Sequence, residues 1–365
     1  MRSKIIGHAR DGGVILAITL ALIVLIEGGV RIFSHEKVTT DFAQGDALAV
    51  KDPVLGHLNA PNVRATVTAP EYKVDYEMNA QGLRAPAAFA PRAEPGVARI
   101  LLVGDSFTIG HGVALEEAWG SRLERGLNEA GVRAEVINAG VPGYGTAAAA
   151  LRLERAIDEF HPDFAIMAFV AHDLFGNAPI VDGADGARVA SAQSDVVKSI
   201  KKSKKSELHS LNALRRLLMQ SDGTYTSLYE MTPRKIFFEE TPSERFLAQA
   251  EVTKALFARA HRNAAAKNVG FAVVSFPQLY QVLLRRGGDE AGAEVAGRID
   301  EVFAAFAEAE GFDWIETLPA LTAEYESAKR VPYFRYDGHF NARGNAVVAE
   351  EILNAVKDDV AARAR

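Results

Sequence analysis

From Ala98 onward, short unbroken apolar runs alternate with longer stretches in which apolar positions recur every three or four residues. The runs Arg99–Val103 (RILLV), Glu135–Asn138 (EVIN), Phe164–Val170 (FAIMAFV), Phe271–Phe276 (FAVVSF) and Asp313–Ile315 (DWI) predict buried strands. The stretches Trp119–Ala130, Thr146–Phe160, Ser243–Asn268 and Glu294–Glu310 predict helices, with a last one over Asn345–Val356. Strands alternating with helices of this length predict a parallel sheet of about five strands, covered on both faces. Ligand sites in such sheets lie beyond the carboxyl ends of the strands. The loops after Val103, Asn138 and Val170 are therefore the places to look for chemistry.

The amino-terminal pattern is different. Val14 to Ile26 (VILAITLALIVLI) carries no charge. At about 1.5 Å per residue, that run is too short for some 30 Å of hydrocarbon, whereas Gly12 to Phe33 is long enough. Glu27 then sits near one end, within reach of the headgroups. Arg2, Lys4 and Arg10 precede the run and should stay cytoplasmic, so everything after Phe33 is expected to be exported. A cleaved signal peptide is the alternative, but Glu27-Gly28-Gly29-Val30-Arg31 lacks the small-x-small cleavage pattern. An uncleaved signal anchor is the expectation.

These patterns divide the chain into a cytoplasmic stub with a transmembrane helix (1–35), an exported spacer expected to pack on the domain that follows (36–97), and that α/β domain (98–365). The spacer contains Pro53, Pro61, Pro70, Pro86 and Pro91, and reads as irregular chain with one strand, Lys73–Met78. Residues 178–242 interrupt the alternation and read as an insertion that could cap a site. They hold Lys198, Lys201, Lys202, Lys204 and Lys205, followed by a helix near Leu208–Met219. The lysines suit a solvated helix face or contact with anionic headgroups or an anionic polymer.

Composition narrows the chemistry. The net charge of −6 argues against a nucleic-acid partner. The absence of cysteine removes disulfides, thiolate metal sites, a cysteine nucleophile and an acylated-cysteine anchor. No spaced metal-ligand set and no dinucleotide or Walker signature is present, so no cofactor and no metal are expected.

Three short stretches carry candidate chemistry. In Leu101-Leu102-Val103-Gly104-Asp105-Ser106-Phe107, a buried strand ends in a glycine turn, and Ser106 follows where the next helix is expected to begin. It reads either as a nucleophile near exposed N–H groups or as a helix cap. In Tyr336-Asp337-Gly338-His339-Phe340-Asn341, an Asp two residues before a His can hold Nδ1–H and leave Nε2 to take a proton from a serine. In Asn138-Ala139-Gly140-Val141-Pro142-Gly143-Tyr144-Gly145, glycines let backbone N–H groups approach a ligand, or simply make a turn.

The order Ser…Asp-x-His, over roughly Ala98 to Val360, resembles the SGNH/GDSL hydrolase superfamily. Asp52-Pro53-Val54-Leu55-Gly56 and Asn79-Ala80-Gln81-Gly82-Leu83-Arg84 resemble the preamble of its membrane-anchored bacterial branch. The resemblance implies a flavodoxin-like three-layer α/β/α fold and a serine esterase. It would be held in the inner (cytoplasmic) membrane, with its catalytic domain in the periplasm or outside. It makes Ser106 the nucleophile, His339 and Asp337 the base and acid, and the Ser106 and Gly143 N–H groups the oxyanion hole. The substrate implied is a short acyl ester, such as an O-acetyl group on an envelope glycan or lipid. An O-acyltransferase or a degenerate glycan-binding module are the alternatives.

Two departures matter. The chain has Asp-x-His where many members have Asp-x-x-His. After the third strand it reads Val170-Ala171-His172-Asp173, where the family usually presents Gly-x-Asn-Asp with the Asn as oxyanion donor. His172 is then a substitute donor or a structural histidine, with Asn177 as a stand-in. His111, in Gly110-His111-Gly112, reads as a turn residue or as pocket lining.

Overall fold

A computed structural model of the chain describes residues 18–30, 48–174, 209–286, 290–328 and 330–364. Five strands form the central sheet: β5 (Ala98–Val103), β6 (Ala134–Asn138), β7 (Phe164–Val170), β8 (Gly270–Phe276) and β9 (Asp313–Glu316). Their order is β6-β5-β7-β8-β9, parallel throughout. This is the flavodoxin-like order, and its topological switch point lies between β5 and β7. Every residue of β5, β7 and β8 is buried. That explains their continuous apolar sequence, since helices cover both of their faces. The edge strand β9 (DWIE) keeps only Ile315 buried.

The covering helices are α2 (Trp119–Glu129), α3 (Thr146–Phe160), α6 (Glu244–Ala266), α8 (Glu290–Glu310) and α10 (Ala342–Arg363). Helix α2 lies against α10, and α3 against α6. Each predicted strand is found within a residue of its expected ends. Helix α10 starts about a turn earlier and ends about two turns later than expected, beginning from an Asn341 cap that accepts from Arg343 N–H and Gly344 N–H.

Two expectations are corrected. No helix begins at Ser106: residues 105–112 form successive turns, and α2 starts only at Trp119. Gly110 and Gly112 hold φ +76° and +79°, which a helix cannot continue through. The spacer, in turn, holds more paired backbone than one strand: residues 49–77 are mostly paired, while 78–97 are irregular as expected. It forms two antiparallel hairpins, β1 (Ala49–Asp52) with β2 (Gly56–Asn59), and β3 (Arg64–Ala69) with β4 (Tyr72–Glu77). Pro53 and Pro70 lie in the turns between paired strands, where no ladder N–H is needed.

Residues 18–30 are helical (α1), and Ile18, Leu20, Leu22 and Ile23–Ile26 are exposed on it. Among the described residues no helix is long and apolar enough to cross a membrane. The expected span, 12–33, lies partly outside the described residues. So does the lysine run of the expected insertion. The described part of that insertion forms α4 (His209–Leu218), α5 (Asp222–Glu230) and a short 3-10 turn at Pro233–Phe237. Tyr225, Tyr229, Phe237 and Phe238 bury into the main core, and Tyr229 stacks on Tyr280 of α7 (Leu279–Arg286) with ring centroids 4.1 Å apart.

Candidate active site

The turn after β5 depends on Gly104. Its φ is +151°, and a Cβ there would meet Thr108 Oγ1 at 2.3 Å and the Ala168 side chain at 3.0 Å. Asp105 then caps the turn, its Oδ1 accepting the Phe107 N–H at 2.9 Å. This sets Ser106 at the carboxyl edge of β5, beside the switch point.

The other end of the chain meets it there. The Ser106 hydroxyl donates to His339 Nε2 at 2.7 Å, across 233 positions of sequence. On the far side of the ring, Nδ1–H donates to Asp337 Oδ1. The imidazole is flanked by Phe107 (centroids 4.6 Å) and His111 (4.4 Å). Serine, histidine and aspartate thus form one continuous proton path, with the ring fixed from both faces.

Electrostatics set the protonation states. Burial works against a charged His339, but the charge and hydrogen bond of Asp337 outweigh it and hold the imidazole above its ordinary value. Burial likewise opposes ionisation of Asp337, yet His339 and His111 hold its carboxyl well below the usual range. His111 is pushed down by burial and by repulsion from His339.

Asp337 has further partners, and sequence reasoning missed them. The Tyr72 hydroxyl donates to Asp337 Oδ2 at 3.0 Å and accepts from His111 Nε2 at 2.7 Å. Glu71 accepts the backbone N–H groups of Tyr336 and Asp337 at 2.9 and 2.8 Å. Tyr72 opens β4 and Glu71 lies in the turn before it, in the hairpin expected to be a spacer. Arg84 donates to the carbonyls of Ile109, Gly110 and Val113 at 2.7–3.1 Å, which clamps the turns downstream of Ser106. Asn59 and His57 hold the carbonyls of Gly140 and Pro142 in the loop after β6. The sequence signals were the Asp52–Gly56 and Asn79–Arg84 motifs, and neither says which groups it touches.

Gly143 lies in that loop, exposed, with φ +84° and open space where a Cβ would stand. His172 is engaged elsewhere. Its Nε2 donates to Asp105 Oδ2 at 3.1 Å, and its Nδ1 accepts from Gln278 Nε2 at 3.3 Å. The single N–H of a neutral ring, which an oxyanion would need, is therefore spent on Asp105. Asp173 beside it is buried, and burial together with the Asp105 charge raises its carboxyl well above the ordinary value. Asn177 lies outside the described residues. Two groups bring His and Asp atoms within 4.8 Å, His111–Asp337–His339 and Asp105–His172–Asp173. Each is a hydrogen-bonded cluster in which a carboxylate takes a ring or hydroxyl proton.

A hydroxyl, an imidazole and a half-buried carboxylate aligned beyond a parallel α/β sheet define a serine hydrolase. Residues 102–347 match the GDSL-like Lipase/Acylhydrolase family, and the chain belongs to it. Among individual relatives, an arylesterase of Vibrio mimicus is 31% identical over 98 residues, 27% of this chain and 49% of its own length. The chain thus spans about half of that relative. Similar solved structures include an acetylxylan esterase, Axe2, from Geobacillus stearothermophilus (12% identity, 71% of this chain and 94% of that one, TM-score 0.43). A second is the acetyl xylan esterase AlAXEase (14% identity, 71% and 99%, TM-score 0.42).

Proposed function

We propose that this enzyme is an exported, membrane-anchored esterase that cleaves short acyl groups, O-acetyl above all, from an envelope glycan or lipid. His339 Nε2 takes the Ser106 proton as Oγ bonds the carbonyl carbon, and the carbonyl electron pair moves onto oxygen. The Ser106 and Gly143 N–H groups receive that oxyanion. His172 is left to hold Asp105. The intermediate collapses, the ester C–O bond breaks, and the alcohol leaves with the proton from His339. Water then repeats the cycle on the acyl-enzyme, freeing the acid and restoring Ser106.

The observation that carries this reading is the 2.7 Å bond between Ser106 Oγ and His339 Nε2, on a ring whose other nitrogen is held by Asp337. The exposed apolar face of α1 supports the anchor, and the preceding Arg2, Lys4 and Arg10 support an exported catalytic body.

A fluorophosphonate probe tests the chemistry. Labelling at Ser106 that disappears in Ser106→Ala, together with turnover of p-nitrophenyl acetate, is the expected result. A folded chain that neither labels nor turns over the ester overturns it and favours a glycan-binding role.

A further inference from the structure

Helix α4 has an apolar face that the protein leaves uncovered. Leu211, Leu214, Leu217 and Leu218 are 51%, 50%, 70% and 41% exposed. At about 100° per residue they form one stripe roughly 120° wide. Four exposed leucines on one short helix are not the scattered apolar residues of an ordinary surface.

The helix is also tied to the anchor. The Ser210 N–H and hydroxyl both donate to Glu27 Oε2, at 2.9 and 2.8 Å. Glu27 lies in the last turn of α1, whose Val24 and Leu25 are each 69% exposed. The leucine stripe therefore begins where the apolar helix ends, 183 positions away in sequence. Charge agrees. Helix α4 itself carries Arg215 and Arg216 and no acid, and the sequence between 198 and 208 holds five lysines against the single acid Glu207, in a chain of net charge −6. An amphipathic helix flanked by basic residues matches an anionic bilayer surface.

We infer that α4 lies in the outer interface of an anionic membrane, with its leucines among the upper acyl chains and its arginines at the headgroups. The catalytic body is thereby held at a fixed height and tilt, rather than swinging on a tether. This inference rests on the anchored reading above.

The absence of cysteine makes the test clean, because single labels need no background removal. The full chain is reconstituted in vesicles of phosphatidylcholine with or without phosphatidylglycerol. An environment-sensitive fluorophore is placed by Leu211→Cys, Leu214→Cys or Leu218→Cys, with Val24→Cys in the anchor and Ala309→Cys on α8 as references. Thermal melting checks that each variant folds. Expected are deep quenching by lipid-borne quenchers at Val24, shallow quenching at the three leucine positions, and none at Ala309. Arg215→Gln and Arg216→Gln should each lower the docked fraction relative to the undocked one by roughly fivefold in the anionic vesicles. Quenching at Val24 with solvent-exposed labels on α4 overturns this inference alone. No quenching at Val24 overturns the anchor, and the inference with it. Shielding of α4 that follows protein concentration and not lipid quencher assigns the face to a second copy of the chain, and also overturns it.

Discussion

Asp337 is a half-buried carboxylate that stays ionised because donors meet it on both oxygens, His339 on one and Tyr72 on the other. In the proposed mechanism a neutral imidazole is the working base, so kcat/KM should fall as pH drops through the His339 value, and that value stands above the ordinary 6.5. Asp337→Asn removes the influence that raises it and leaves burial, which lowers it. The acid limb of kcat/KM should therefore move to lower pH. The plateau should drop by about 10³–10⁴-fold, because the amide no longer fixes the proton on Nδ1. A pH profile with p-nitrophenyl acetate checks both, and an unmoved limb would mean that another group titrates. At this scale the sequence was eloquent about Ser106, Asp337 and His339, since their spacing carries the chemistry. It was silent about His172. Whether that ring faces an oxyanion or Asp105 depends on Gln278 and on the turn before Ser106, and no local pattern encodes either.

Among the elements, the hairpin of β3 and β4 changes most in meaning. It looked like a spacer, yet it delivers Glu71 and Tyr72 to the loop that bears Asp337 and His339. Tyr72→Phe keeps the ring packing on Phe334, at 4.9 Å between centroids, and deletes one hydrogen bond to a half-buried charge. Such bonds are worth about 1.5–3 kcal/mol, so kcat/KM should fall roughly 10- to 100-fold if the full value is felt in the transition state. The acid limb should shift with it, because Asp337 loses a partner that favours its ionised form. Full activity with an unmoved limb would reduce Tyr72 to scaffold. The strands of the central sheet were legible because β5, β7 and β8 are buried on both faces and need unbroken apolar runs. The hairpins were not. Their strands are four to six residues long, and β3 (RATVTA) half-buries only alanine and valine, so its alternation has little contrast. Several of their partners on the catalytic body are carbonyls and N–H groups, which leave no mark in the sequence.

For the whole molecule, the consequence is that the catalytic unit does not begin at the first sheet strand. Leu55, Tyr76, Met78 and Leu83 are each less than 5% exposed, and all precede Ala98. Leu55 packs with Val141, Tyr144 and Leu256; Tyr76 and Met78 pack with Ile109; and Leu83 joins the main core. Each such side chain contributes about 1.5–3 kcal/mol when fully buried, against a total of some 5–15 for a typical domain. Removing all four, along with the Arg84 clamp on the turns after Ser106, takes away stability on the order of the whole. A fragment starting at residue 48 should melt cooperatively and label with a fluorophosphonate. One starting at residue 98 should aggregate or melt far lower, and fail to label, even though it contains Ser106, Asp337 and His339. Expressing the two side by side decides the matter. A soluble, labelling fragment from residue 98 would mean that the hairpins are accessory, and that the triad is held by the sheet alone.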